Sequence, residues 1–322
     1  MLNTVASLLF SGGNRDLAKN KPALTPAQMV NLLVTRGMIV PDKARAEEFL
    51  ERVNYYKLRG YFIPFETYCP THDHRFLQRT TFEEVLALYR FDRKLRLLFC
   101  DMLERFEVAV RTKWAQEISQ KHGPDAHLHP RFFIDDVKHT EMLDKLEKAY
   151  QDSKEQFATH YRNRYKSLRV PPVWVSAELM SFGMVSHWLK ATRTNSVQNA
   201  VSSSFGFEPK FFQTFVHQAV VIRNRCSHHS RLWNWASPVR LPAIRTGSTQ
   251  FDVSLLNSRP ADITKVYNFV AILLFVADRV APGHKWGGKL YDFLCAEQTR
   301  LPNMGFPRDW YRAFGKSTPP PP

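Results

Sequence analysis

Apolar residues recur at helical spacing along most of this chain, and few stretches alternate with the two-residue period of a strand. Leu24-Thr25-Pro26 opens one helix, with Thr25 as N-cap, Pro26 at the first helical position and Gly37 as its stop. Asp42 caps a second, running to Val53. Thr81-Phe82-Glu83-Glu84 reads as a capping box, and Val85, Leu88, Leu95, Leu98, Met102, Phe106 and Ala109 carry its apolar face towards Ile118. Unbroken, that helix is roughly forty residues long.

After Pro171-Pro172, Trp174 to Lys190 reads as one helix with Trp174, Leu179, Val185 and Trp188 at apolar positions. Pro209 suits the first turn of another, whose apolar run is Phe211 to Ile222. Asp262 to Ala281 and Lys285 to Arg300 follow the same period, whereas Trp235 to Ser258, rich in Pro, Gly, Ser and Thr, predicts a loop with at most a short strand pair. With roughly seven helical patterns and no βαβ rhythm, the chain is expected to be mostly α. Residues 1–20 read as a flexible N-terminal extension, 21–316 as one helical domain and 317–322 as a disordered Pro-rich tail.

Charge changes the picture. Forty-five Lys and Arg against thirty Asp and Glu leave +15, which favours a polyanionic partner through phosphate neutralisation and counterion release. The longest apolar run, Phe269 to Ala277, is far too short to span a bilayer and reads as a buried helix. Thr4 to Phe10 lacks the basic start of a secretory signal, so the expected location is cytoplasmic, and no membrane partner is expected. Cys69, Cys100, Cys226 and Cys295 include no Cys-x-x-Cys pair and are expected to be reduced thiols.

The chemistry concentrates in Arg223-Asn224-Arg225-Cys226-Ser227-His228-His229-Ser230-Arg231-Leu232-Trp233-Asn234. A guanidinium offers a planar fork to phosphate oxygens, and an imidazole titrates near neutrality and can move a proton. Those groups suffice to cut RNA without a metal: a base takes the ribose 2′-hydroxyl proton, the alkoxide attacks the adjacent phosphate, and a cation stabilises the developing charge. A cluster of cations capping a helix end is the plainer alternative for any one of Arg223, His228 and Arg231. Residues five apart on a helix are rotated by roughly 140°, so Arg223 and His228 do not share a face of an unbroken helix. Either the helix breaks near Cys226-Ser227 or each pocket takes groups from two copies. The His72-Asp73-His74 run and His122, His127, His129 and His139 lack the i, i+4 spacing of a helical zinc site, and no metal or other cofactor is expected. His160 to Arg169, alternating cations and aromatics, is a second surface suited to RNA.

Arg223, with the polar Asn224 next to it and His228 after four intervening residues counted from the arginine, resembles the signature of HEPN-domain ribonucleases. The whole run resembles the motif of the bacterial Abi family, the AbiD/AbiF type of abortive-infection protein. Asn54-Tyr55-Tyr56-Lys57-Leu58-Arg59-Gly60-Tyr61, Glu178-Leu-Met-Ser-Phe-Gly183 and Met304-Gly-Phe-Pro307 with Trp310 resemble further elements of that family, so the likeness covers about residues 20–316. Glu104 and Arg111 sit in a segment similar to the family's Leu-Glu-Arg-x-Glu-x-x-x-Arg-Thr, which packs beside the nuclease motif.

What the resemblance implies is a HEPN-like helical bundle with additional helices and a loop-rich insertion, acting as a metal-independent endoribonuclease and toxin in anti-phage defence. Arg223 would bind the scissile phosphate, His228 would serve as base or acid, and Asn224 would orient them. His229 and Arg231 would support the phosphate site, with Glu104 and Arg111 behind them. RNA is the implied substrate, a structured small RNA an implied regulator, and a homodimer the implied assembly. Arg225 stands where an apolar residue is expected and Ser227 where alanine is usual; Arg225 bears on RNA choice. The alternative is a non-catalytic RNA-binding module that grips a structured RNA with the same basic cluster. A DNA-binding regulator rests on charge alone, without a helix-turn-helix spacing to support it.

Overall fold

The computed structural model describes residues 23–67, 74–193, 195–244, 247 and 249–321. Among these it is 65% helical, with twelve α-helices and no sheet, so the mostly α expectation holds. The chain divides into two compact units, residues 1–94 and 95–322. The expected N-terminal extension, Cys69 and the first two residues of His72-Asp73-His74 lie outside the described residues.

In the first unit α1 (Pro26–Thr35) starts as its sequence dictates, with a reciprocal capping box between Thr25 and Gln28 and Pro26 in the first turn. The chain leaves it through Gly37, whose φ of +95° suits a residue without Cβ. The Asp42 carboxylate caps α2 (Lys43–Arg52) and the Asn54 amide oxygen caps α3 (Tyr55–Phe62). The tyrosines of α3 split by face. Tyr61 is buried and donates to the buried Asp92 carboxylate at 2.5 Å, whereas Tyr56 stands in solvent.

The longest helix, α4 (Phe82–His122), has 41 residues and opens on the expected capping box: the Thr81 N–H donates to Glu84 at 2.7 Å and the Glu84 N–H to Thr81 Oγ1 at 3.2 Å. The second unit begins within it. There Phe106 is the aromatic hub, with Phe182, Phe205, Phe212 and Phe215 all 5.5–6.2 Å from it, centroid to centroid. The unit continues through α5 (Asp136–Asp152), α6 (Gln156–Arg164), α7 (Val173–Glu178), α8 (Phe182–Ala191), α9 (Asn195–Ser204), α10 (Pro209–Ser227), α11 (Val266–Val280) and α12 (Trp286–Cys295). The α10 helix packs against α8 and α9, and Phe215 stacks on Phe269 of α11 at 5.1 Å. Most of α11 is buried, as its unbroken apolar run requires, and among the described residues no helix is long and apolar enough to cross a membrane.

Three boundaries differ from the sequence expectation. Trp174 to Lys190 is two helices, because Ser181 adopts an extended conformation and its hydroxyl caps α8 by accepting from the Met184 N–H. Trp174, taken as an apolar position, is half exposed. The stretch from Asp262 starts its helix only at Val266, since Ala236 and Lys265 form a β-bridge just before it. The stretch from Lys285 leaves α geometry after Cys295 and passes into a short 3-10 turn, Gln298–Arg300.

Two histidines of the second unit serve the packing. His127 and His139 are buried; His139 Nε2 bonds the His127 carbonyl at 2.8 Å, and the His139 ring stacks on Phe133 at 4.7 Å. Ser176 holds the His127 ring at 3.3 Å. Burial lowers the His127 pKa to about 4, the leading cause of the shift. Among the described residues no group of three or more His, Cys, Asp or Glu is placed to hold a metal ion.

Candidate functional site

The basic cluster straddles the end of α10. Two bonds close the helix: the Ser230 N–H reaches back to the Arg225 carbonyl at 2.9 Å and the His229 N–H to the Cys226 carbonyl at 3.0 Å. That pair is a Schellman motif, with His229 in its left-handed position at φ +57°. Glycine is the usual occupant there because a Cβ is strained in this region. Beyond it, Leu232 and Trp233 are buried, and the Trp233 indole donates to the Arg300 carbonyl at 3.1 Å, pinning the tail of the motif to the unit.

Arg223 lies in the last turns of α10 and is held from two sides. Its Nε and Nη2 donate to one oxygen of Glu107 on α4, at 3.1 and 2.8 Å, and its Nη1 donates to the Asn224 side-chain oxygen at 3.0 Å. A guanidinium has five N–H donors, so three are used and two remain for an incoming anion. The structure thus brings Asn224 and Arg223 together.

Glu107 also accepts from Arg111 Nη2 through its other oxygen at 2.8 Å, and Arg111 Nη2 reaches the Met180 carbonyl at 3.0 Å. That carbonyl lies in the gap between α7 and α8, where the chain leaves helical geometry. Arg111 thus shares the carboxylate that holds Arg223. Glu104 is placed differently: it is exposed and lines an open cavity with Arg105 and Arg279. Glu107, which sequence reasoning passed over, is the carboxylate that holds the motif. Its signal was present, since Glu107 and Arg111 stand at i, i+4 on a helix, where such pairs meet.

His228 is the C-cap of α10, with φ −85°, and its N–H still bonds the Asn224 carbonyl at 2.9 Å. The chain therefore leaves the helix after His228, too late to swing its side chain onto the face of Arg223; the two remain roughly 140° apart around the axis. His228 and His229 are exposed. Arg225 closes the turn: its Nε donates to the Arg231 carbonyl at 2.5 Å and its guanidinium lies 4.6 Å from the centre of the Trp235 ring. Arg231, half-buried, is thereby tied to the same turn through its backbone.

Two thiols lie beneath the cluster. Cys226 is buried, and its hydrogen bond with Cys100 of α4 is the main reason that the Cys100 thiol is drawn down to about 7. Partial burial opposes the shift, and the Arg96 and Arg223 guanidiniums add to it.

A model of the Abi-like protein family matches residues 48–234, a span that includes α3, α4 and the whole of the basic motif, and the chain belongs to that family. No curated protein and no solved structure matches the chain.

Proposed function

We propose that this Abi-like protein is an abortive-infection endoribonuclease of the HEPN type, resembling the AbiD/AbiF proteins, that cuts RNA through the Arg223–His228 motif without requiring a metal. The observation that carries the reading is the fixing of Arg223 by Glu107 and Asn224, with two donors left over, on the same short stretch as an exposed imidazole. That is the pairing of a fixed cation and an accessible base that phosphate-ester cleavage needs.

In this mechanism an imidazole, His228, accepts the proton of a ribose 2′-hydroxyl. The oxygen attacks the adjacent phosphorus, Arg223 stabilises the charge that develops on the phosphate, and the 5′-oxygen leaves with a proton from a second imidazole. The products carry a 2′,3′-cyclic phosphate and a 5′-hydroxyl. The angular separation of Arg223 and His228 on one helix supports a pocket shared between two copies, each completing the other's pair. His229 and Arg231 add positive and proton-transferring groups around it. The net charge of +15 supports RNA as substrate and as partner, including a structured small RNA that restrains the activity in a cytoplasmic toxin.

The test is cleavage of labelled single-stranded RNA, in chelator, by the wild type and by folded His228→Ala and Arg223→Ala variants. Loss of cutting in both variants, with cyclic-phosphate ends in the wild type, is the expected result. Equal RNA binding by all three proteins with cutting by none assigns the cluster to the non-catalytic RNA-binding reading.

A further inference from the structure

A second recessed site lies in the part of the chain that follows the family-matched span. It is a cavity of ≈ 560 Å³ lined by residues between Gln250 and Lys316, drawn from α11, α12, the 250–255 segment and the C-terminal turn. Small-molecule sites fall in this size range and combine apolar walls with a few placed polar groups. This one has both.

Its aromatic walls are specific. Phe275 meets Phe251 edge-on at 5.4 Å, and Tyr291 meets Phe314 at 5.4 Å, so two aromatic pairs line the space. The Lys316 ammonium stands 5.3 Å over the Tyr291 ring, and Arg312 lies on the same wall. The carboxylates of Asp252 and Asp278 belong to the same lining, and Arg312 also meets Asp309 at 3.2 Å. A cavity built for a lipid chain has no use for charges of both signs, whereas a planar heterocycle bearing an anion uses all of them.

Two details of α12 point the same way. Gly287 and Gly288 open the helix, although glycine costs about 1 kcal/mol against alanine inside one. At Gly288 a Cβ would meet nothing within 4 Å, so packing does not demand the glycine, and what it leaves is bare helix surface on the cavity. His284 is the second detail. Its Nδ1 accepts from the N–H groups of Trp286 at 3.1 Å and Gly287 at 3.4 Å, which places the ring proton on Nε2. The side chain is 8% exposed, and Nε2 has no hydrogen-bond partner, although an Asp278 oxygen lies 3.3 Å away. A buried donor left without a partner is costly, and a ligand acceptor in the cavity would satisfy it.

We propose that this cavity binds a free nucleoside monophosphate, with the base against the Phe275 and Tyr291 rings, the phosphate at Lys316 and Arg312, and His284 Nε2–H as donor to the base or ribose. The site is separate from the Arg223–His228 motif and does not depend on that motif being catalytic.

The experiment is isothermal titration of the full chain with each of the four nucleoside monophosphates, with adenosine, with inorganic phosphate and with a short 5′-phosphorylated oligonucleotide. At least one monophosphate binds more tightly than adenosine or phosphate alone. Lys316→Glu weakens it by about tenfold or more, the scale of a reversed charge-assisted contact. Gly288→Leu, which fills the space with a good helix former, abolishes binding without lowering the melting temperature. The proposal is overturned if no monophosphate binds at roughly millimolar concentration, or if binding is indifferent to both substitutions. Tighter binding of the oligonucleotide than of any monophosphate also overturns it, and assigns the cavity to an RNA chain.

Discussion

Arg223 and Glu107 meet through two hydrogen bonds to a single carboxylate oxygen, while the other oxygen of Glu107 holds Arg111. One carboxylate therefore neutralises two guanidiniums, with side-chain exposures of only 14% for Glu107 and 12% for Arg111. Glu107→Ala leaves Arg223 without its carboxylate and Arg111 with only Glu178 at 3.8 Å, and is expected to cost about 2–4 kcal/mol of stability. In Glu107→Gln the shape is kept, but the charge is lost and one of the two acceptor oxygens becomes an NH2 donor, so the chain stays folded while Arg223 loses its fixed direction. RNA cleavage by that variant falls by about a hundredfold, the scale of a displaced charge-stabilising group. Single-turnover rates beside chemical denaturation separate the two effects; undiminished cleavage by Glu107→Gln removes the positioning role.

His229 occupies a backbone conformation that glycine takes without strain. His229→Gly is expected to raise stability by up to about 1 kcal/mol, the strain of a side chain in the left-handed region, less the extra freedom of glycine in the unfolded chain. The same change lowers RNA affinity if the imidazole belongs to the phosphate site. A thermal melt reads the first effect and filter binding the second. A more stable variant with unaltered affinity and cleavage leaves His229 outside the site.

Acid weakens the fold through His127. Burial holds its folded pKa near 4, below the ordinary 6.5, so between those values the unfolded chain takes up a proton that the folded chain refuses. The stability present above about pH 6.5 is therefore lost progressively as pH falls towards 4, by up to about 3 kcal/mol from this residue alone. Replacement by glutamine removes that dependence at the cost of some packing. Denaturation midpoints for both proteins at pH 7 and pH 5 test it: the wild type loses more stability on acidification.

Among the described residues Cys100 is the thiol to alkylate first. Its pKa of about 7 makes it about half thiolate at neutral pH, whereas an ordinary thiol is mostly protonated there. Iodoacetamide at pH 7, followed by peptide mass spectrometry, is expected to mark Cys100 before the buried Cys226 and before Cys295, whose thiol is pushed up mainly by burial. In Cys226→Ala the advantage of Cys100 shrinks, because the hydrogen bond that stabilises its thiolate is gone.

Local rules were legible in the sequence where a single residue decides. Thr25 with Pro26, Asp42, the Thr81–Glu84 box and Pro209 each start a helix where their chemistry says, because capping depends on neighbours in the chain and nothing else. Ser181 is the same kind of signal, lost inside an apolar run that looked continuous from Trp174 to Lys190. The partner of Arg223 was not legible. Glu104 and Glu107 are one turn apart in the same segment, and only the packing of α4 beside the end of α10 decides which carboxylate meets the guanidinium. Likewise Arg225 stood out as a charge where an apolar residue is expected, and its use in closing the turn onto Arg231 and Trp235 depends on a chain reversal that periodicity does not describe.

The Schellman turn at His229 leaves Arg223 held within the unit and the His228 side chain standing in water. Arg223 inherits the rigidity of two packed helices, and the exposed His228 imidazole does not. Any ligand that uses both must order that imidazole as it arrives, at a cost of roughly 0.5–1.5 kcal/mol for a flexible side chain. Engagement of the motif therefore carries an entropic penalty, and a partner surface that holds the imidazole in place strengthens binding without touching the ligand.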